Sequence, residues 1–310
     1  MIKIKGALIM KKIVNLGLVV VLVLALLAGC AGNQPAEQPA ANEQETNETT
    51  PAETPKEEAK YKDGIYFAQE DEFSPNSGWK SVVTLEVKDG KIASVDWNGA
   101  NKNGGVDKKT ASKEGKYPMV EKGGAQSEWH EQAMAAEAYL IENQDPKAIE
   151  YSDNEGHTDA ISGVSIHVND FFALVEKALE NGPVEKGMYN DGSYHAEEAE
   201  FNANSGWKST VDITVINGNI VAVNWSGVHK DGGADKKTAS VEGNYPMVEK
   251  GGAKSAWHEQ AAVVETFLLE SQDTKAIEYK DDAGHTDAIS GVSITVGSMF
   301  KLADEALNGK

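Results

Sequence analysis

Apolar and polar residues alternate along two stretches early in the chain. Val83, Leu85 and Val87 share one face of an extended segment, Asp89-Gly90 interrupts it, and Ile92 begins a return strand. A period of two broken by Asp-Gly predicts a β-hairpin. The preceding segment "DGIYFAQED" alternates in the same way. Further on, the period lengthens. Trp129, Ala133, Ala136 and Leu140 fall on one helical stripe, which predicts a helix over residues 127–143 with Ser127 as N-cap and Pro146 closing it. A short "AIEY" strand is expected next. A second helix is expected over residues 170–180, capped by Asn169 and ended by Gly182. Between hairpin and first helix runs a Gly- and Lys-rich loop, "NGGVDKKTASKEGKYPMVEKGGA". The expected class is α+β, with an antiparallel sheet and two helices.

The same pattern then recurs. Shifted by 128 residues, residues 61–182 align without a gap on residues 189–310, with 74 identities in 122 positions. A period this long marks a duplicated domain rather than a solenoid. Asn217-Gly218 stands where the first copy has Asp89-Gly90. The expected organisation is two tandem small domains, 61–182 and 189–310, joined by a linker at 183–188. The hairpin strands differ between the copies in core and exposed positions alike. The loop and first helix turn, residues 104–133, hardly differ, and "HTDAISGVS" is identical at residues 157–165 and 285–293. Strands need only the right pattern, so a loop kept letter for letter points to side-chain chemistry.

Residues 1–60 show neither period. Lys11 and Lys12 precede the apolar run "IVNLGLVVVLVLALLAG", which stops at Cys30. A charged start, an apolar centre and a small-residue processing site predict a signal peptide over residues 1–29. Leu27, Ala28, Gly29 and Cys30 match the lipobox of bacterial lipoproteins, so lipidation at Cys30 and anchoring to the cell membrane are expected. Cys30 is the one Cys, which excludes an intramolecular disulfide. Residues 30–60 are rich in Pro, Ala, Glu, Asn and Thr, and are expected to form a disordered tether spanning roughly 30 Å. The chain carries 49 acidic residues against 29 basic ones, all of them Lys, and a net charge of −20. That balance sets nucleic acid aside as a partner, because phosphate binding needs clustered cations.

The repeated nonapeptide admits several chemistries. His157, Asp159 and Ser165 are the residue types of a hydrolase triad, but Ile166-His167 come after the Ser where a nucleophile elbow needs Gly. "WHEQA" starts like a zinc helix, but Met134 and Ala262 replace the second His. No metal is therefore expected. Asp159, Ser162 and Gly163 also suit ordinary turn chemistry.

"DAISGVS" resembles the flavinylation motif of FMN-binding domains: Asp, two variable residues, Ser or Thr, Gly, a small residue, then Thr or Ser. Such domains occur in flavin-bearing subunits of ion-pumping oxidoreductases and, in tandem behind a lipobox, in Gram-positive surface flavoproteins of extracellular electron transfer. The resemblance covers both repeats. It implies two FMN groups per chain, esterified to Ser165 and Ser293 by an ApbE-type FMN transferase. It further implies an electron carrier without its own substrate turnover, working between a membrane quinone-oxidising donor and extracellular acceptors. Two letters depart from the common pattern, the acceptor Ser for Thr and Val164 and Val292 for Ala, which leaves tight non-covalent FMN binding as the alternative. Ser162, Gly163, Thr158, His157 and Asp159, with Ser290, Gly291, Thr286, His285 and Asp287, would form the setting of each acceptor. Ser165 lies just before an expected helix N-terminus, whose free N–H groups suit a phosphate. Lys108, Lys109 and Lys122, with Lys236, Lys237 and Lys250, are candidates to offset phosphate charge. Tyr117, Met119 and Trp129, with Tyr245, Met247 and Trp257, are candidates for the ring walls, and His130 for a ring-edge hydrogen bond. Other expectations for the same sequence are a ligand-binding or adhesion lipoprotein, or a precursor whose signal peptide yields a pheromone.

Overall fold

The structure is a computed structural model that describes residues 60–308. The signal peptide, Cys30 and the tether through residue 59 lie outside the described residues. Among the described residues, no helix is long and apolar enough to cross a membrane.

The molecule is α+β, built on two three-stranded antiparallel sheets. The first sheet contains β1 (Gly64–Gln69), β2 (Trp79–Lys88) and β3 (Lys91–Asn101) in that order. The second repeats this with β4 (Gly192–Glu197), β5 (Trp207–Ile216) and β6 (Asn219–His229). Asp89 and Gly90 both adopt positive φ, 51° and 74°, as do Asn217 and Gly218 at 50° and 72°. Two successive left-handed residues make the tight turn whose twist matches the strands, and Asp-Gly and Asn-Gly tolerate it best. The glycine N–H of each turn is also satisfied: Gly90 donates to Asp63 Oδ1 at 2.8 Å and Gly218 to Asp191 Oδ1 at 2.7 Å.

Four helices come after the first sheet: α1 (Lys108–Lys113), α2 (Met119–Gly123), α3 (Trp129–Asn143) and α4 (Asn169–Asn181). Their counterparts are α5 (Lys236–Val241), α6 (Met247–Gly251), α7 (Trp257–Ser271) and α8 (Gly297–Asn308). The Gly- and Lys-rich stretch is therefore not an open loop, since it holds α1 and α2. Helix α3 starts at Trp129 rather than Ser127. Its cap is Glu128, whose N–H donates to the Glu131 carboxylate at 2.8 Å. Helix α4 starts at Asn169 behind Val168, so Asn169 is the first helical residue and not the cap. The "AIEY" segment forms no strand. Pro146–Ala148 make a 3₁₀ turn, and the chain beyond ties to itself, with Thr158 Oγ1 donating to the Glu150 carbonyl at 2.6 Å.

One core forms within each repeat. Val83, Leu85 and Val87 on β2 meet Trp129, Ala133, Ala136 and Leu140 on α3 and Phe171, Phe172 and Val175 on α4. Removing such side chains from water contributes roughly 1.5–3 kcal/mol each. Gln144 ends α3 in the left-handed region at φ 57°. That conformation is costly for a residue with a Cβ. Its amide offsets the cost by pairing with both backbone groups of Ile92, at 2.7 and 2.9 Å, which pins the helix end to β3. The opposite sheet faces meet each other: Val82, Ala100, Ile216, Val221 and Ala222 form a third apolar cluster that draws on both repeats.

Candidate functional site

In the first repeat a cleft of ≈ 420 Å³ opens between the start of β2, the start of α1 and the turn before α4. Its walls include Trp79, Trp97, Tyr117, Met119 and Trp129. Trp79 meets Tyr117 edge-on at 5.9 Å, and Trp97 meets Trp129 at 5.3 Å and 66°. Lys108, the first residue of α1, lies across these rings, with Nζ 4.4 Å from the Trp129 centroid and 5.0 Å from that of Tyr117. Asp107 sets this position by capping α1 through the Thr110 N–H at 3.0 Å. Gly99 leaves room beside it, since a Cβ there would stand 3.2 Å from Lys108 Cβ and 3.0 Å from the Lys80 carbonyl.

Lys108 has no hydrogen bond or salt bridge among the described residues. Burial pulls its pKa down to about 8, against the opposing pull of Glu70 and Asp170. Lys80 lines the same cleft and is pulled down to about 8 by burial as well. The arrangement recurs in the second repeat. Lys236 Nζ lies 4.6 Å from the Trp257 centroid and 4.9 Å from that of Tyr245, and burial pulls it to about 8. Lys108 and Lys236 each hold a desolvated ammonium against aromatic faces in a chain of net charge −20, a pairing whose chemistry suits an anion carrying a flat apolar body.

Ser165 stands at the rim of the first cleft, exposed. Gly163, at φ 80°, makes the bend behind it, and Val164 donates to the Ile161 carbonyl at 3.3 Å. The buried side chain of Gln132 holds the backbone of Ser165 and Ile166. Its Oε1 accepts from Ser165 N–H at 2.7 Å, from Ile166 N–H at 3.2 Å and from the Ser165 hydroxyl at 3.3 Å, while Nε2 donates to the Ser127 carbonyl at 2.9 Å. Gln260 does the same for Ser293, at 2.7 Å from N and 3.2 Å from Oγ. Ser165 lies three residues before the cap of α4, one closer than the sequence suggests.

The structure thus brings Ser165, Tyr117, Met119 and Trp129 to one cleft and leaves others apart. Asp159 and Ser162 are exposed, and Asp159 has no partner among the described residues, so Gln132 rather than Asp159 holds the Ser165 hydroxyl. Asp287 pairs with Lys280 at 3.0 Å. Thr158 and Thr286 are buried and tie their own loop through the Glu150 and Glu278 carbonyls. His157 and His285 turn to Asp153 and Asp281, at 2.5 and 2.8 Å. His130 contacts Ser112 Oγ through Nδ1 at 2.9 Å. Lys122 and Lys250 are exposed on α2 and α6 and line neither cleft. Lys109 is committed to Asp96 and Glu137 at 2.6 and 2.5 Å, and these acids, outweighing burial, raise its pKa. Tyr245, Met247, Trp257 and Ser293 are not among the residues lining the second cleft, although Lys236 lies over two of those rings. Sequence reasoning missed Gln132, Trp79 and Lys80. The signal lies in "WHEQA" and "NSGWKS", both identical in the two copies, with a Gln inside an apolar stripe.

No protein-family model matches the chain, and no curated protein matches it. A solution NMR structure of a protein from Clostridium thermocellum is 62% identical over 39% of this chain and 91% of that one, with a TM-score of 0.32. A crystal structure of a protein from Clostridium perfringens is 26% identical over 39% of this chain and 88% of that one, with a TM-score of 0.32.

Proposed function

We propose that the chain is an extracellular, lipid-anchored electron carrier with one FMN in each repeat, attached through Ser165 and Ser293. The observation that carries this reading is the pairing, in one cleft, of a desolvated Lys108 that makes no salt bridge and an exposed Ser165 hydroxyl at the rim. Each residue has a part. Lys108 offsets anionic charge on the ligand, the aromatic walls flank a planar ring, and Gln132 presents the Ser backbone and hydroxyl at a fixed angle. Esterification by an ApbE-type transferase would form an Oγ–P bond, break the pyrophosphate of FAD, and release AMP with the hydroxyl proton taken up in that exchange. The flavin supplies the electron chemistry, and the protein supplies position and electrostatics. A cofactor bonded to its carrier is not lost to dilution outside the membrane, which suits a donor at the quinone pool and acceptors beyond the wall.

Mass spectrometry of the native protein from a host with the transferase tests this. Two added FMN groups are expected, one lost in Ser165→Ala and the other in Ser293→Ala. A colourless protein without added mass from that host would overturn the proposal.

A further inference from the structure

We propose that Glu155, His157 and His167 bind a divalent transition-metal ion of the zinc type, in the first repeat alone. One ligand atom from each of the three lies within 4.8 Å of the others. A single backbone bond brings them together. Val168 N–H donates to the Gly156 carbonyl at 2.8 Å, so the two residues flanking Gly156 meet the residue preceding Val168. Gly156 permits this approach: its φ is 92°, and a Cβ there would lie 2.2 Å from Asn169 Oδ1. Ser152 N–H to the His157 carbonyl, at 2.8 Å, closes the loop.

Asp153 then orients the His157 ring. Its Oδ2 lies 2.5 Å from Nδ1, and its Oδ1 accepts the His157 backbone N–H at 3.1 Å. A carboxylate on one ring nitrogen leaves Nε2 for the ion, and this is how metal-bound imidazoles are ordinarily held. The two imidazole rings stand 4.2 Å apart at 69°, and His167 Nε2 lies 3.9 Å from Glu155 Oε2. Bonds of about 2.0–2.1 Å in a tetrahedral zinc centre separate ligand atoms by about 3.4 Å. Glu155 and His167 are exposed, so small side-chain rotations close the difference. Two imidazoles, one carboxylate and a fourth position for water form a donor set suited to zinc.

The second repeat is a built-in control. Val296 N–H donates to the Gly284 carbonyl at 2.7 Å, and Asp281 holds His285 at 2.8 Å, so the frame is the same. Ala283 and Thr295 stand where Glu155 and His167 would be. The inference does not depend on FMN, although His167 also lines the first cleft.

Calorimetric titration of the full chain with Zn²⁺ alone tests it. One saturable ion per chain is expected. Asp153→Asn should weaken binding by about 10–100-fold, the usual effect of losing a carboxylate behind a metal-bound His. His167→Thr and Glu155→Ala, which install the residues of the second repeat, should weaken it further. Ala283→Glu combined with Thr295→His should add a second ion. Circular dichroism of each variant separates loss of the site from loss of the fold. Absence of saturable binding to the folded wild-type chain, or a site that survives His167→Thr, would overturn the proposal.

Discussion

The first repeat encloses a cleft of ≈ 420 Å³ and the second one of ≈ 850 Å³, and the two linings are only partly equivalent. Part of the lining is shared: Trp79, Lys80, Ser81 and Lys108 in the first cleft answer to Trp207, Lys208, Ser209 and Lys236 in the second, and outside the lining Gln132 and Gln260 hold the backbone of Ser165 and Ser293 alike. The rim is not. His167 and Asp170 become Thr295 and Ser298, and the second cleft spreads over Tyr279, Asp281 and Gly284. Each shared residue is bonded to or packed on others, so changing one leaves a gap or an unpaired polar group. Rim side chains face water and change one at a time. Whatever the repeats have in common is therefore written in the shared residues, and whatever separates them is written in the rim.

Four measurements would break or sharpen this contrast. The largest effect concerns the cores. Phe171 stacks on Trp97 at 4.9 Å, whereas Met299 occupies the equivalent place. Phe171→Ala should destabilise the chain by about 3–5 kcal/mol in urea titration, toward the upper end of what Met299→Ala costs. A smaller loss at Phe171 than at Met299 would contradict the stacking argument. Next comes the loop glycine. Gly156→Ala meets Asn169 Oδ1 at 2.2 Å, while Gly284→Ala meets Gly297 Cα at 3.0 Å. Both should lose about 1–3 kcal/mol to the positive φ, with the greater drop in melting temperature at Gly156. Gln132→Ala and Gln260→Ala should each cost about 1–3 kcal/mol through unpaired N–H groups. Faster amide exchange at Ser165 and Ser293 should accompany that loss, and unequal effects would show that the two Ser residues are not held alike.

The smallest effect is the pH dependence of the two lysines. By NMR, Lys108 and Lys236 Nζ should titrate near pH 8. Their folded pKa lies below that of a free Lys, so between about pH 8 and 10.5 the unfolded chain holds more protons and stability rises with pH. Inorganic phosphate should bind less well as pH passes 8 and the ammonium groups lose charge. Midpoints near the free-Lys value would remove the electrostatic case for an anion in the cleft.

Much of the frame is legible in the sequence. Asp89-Gly90 declares the hairpin because few other pairs accept two positive φ angles. Trp129, Ala133, Ala136 and Leu140 declare α3 because a buried stripe leaves a period. The first cleft is legible in part, since Tyr117, Met119, Trp129 and Ser165, letters kept in both copies, line it together. Less legible are the features that depend on distant segments meeting. Gln132 reaches Ser165 across 33 positions, and Trp79 joins Tyr117 only once β2 lies beside the turn after α1. The cap of α3 escapes the pattern because the Glu128 carboxylate is taken up by the N–H groups of Met119 and Val120, nine and eight residues earlier, while its own N–H donates to Glu131. His157 reads as part of the acceptor's setting because it is eight residues away in the chain. In space it belongs to Asp153 and His167.

The apolar seam between the sheets has a consequence for the linkage of the repeats. Val82 and Ala100 on one side and Ile216, Val221 and Ala222 on the other cover each other, and Thr214 Oγ1 donates to the Gly105 carbonyl across the same seam at 2.7 Å. A chain severed at residues 183–188 would wet both halves of that patch. Joined, each half keeps its complement at a high effective concentration, so the contact forms without a second-order encounter. The short joint thus makes a bimolecular association into a unimolecular one, and keeps an adhesive surface occupied by its own chain.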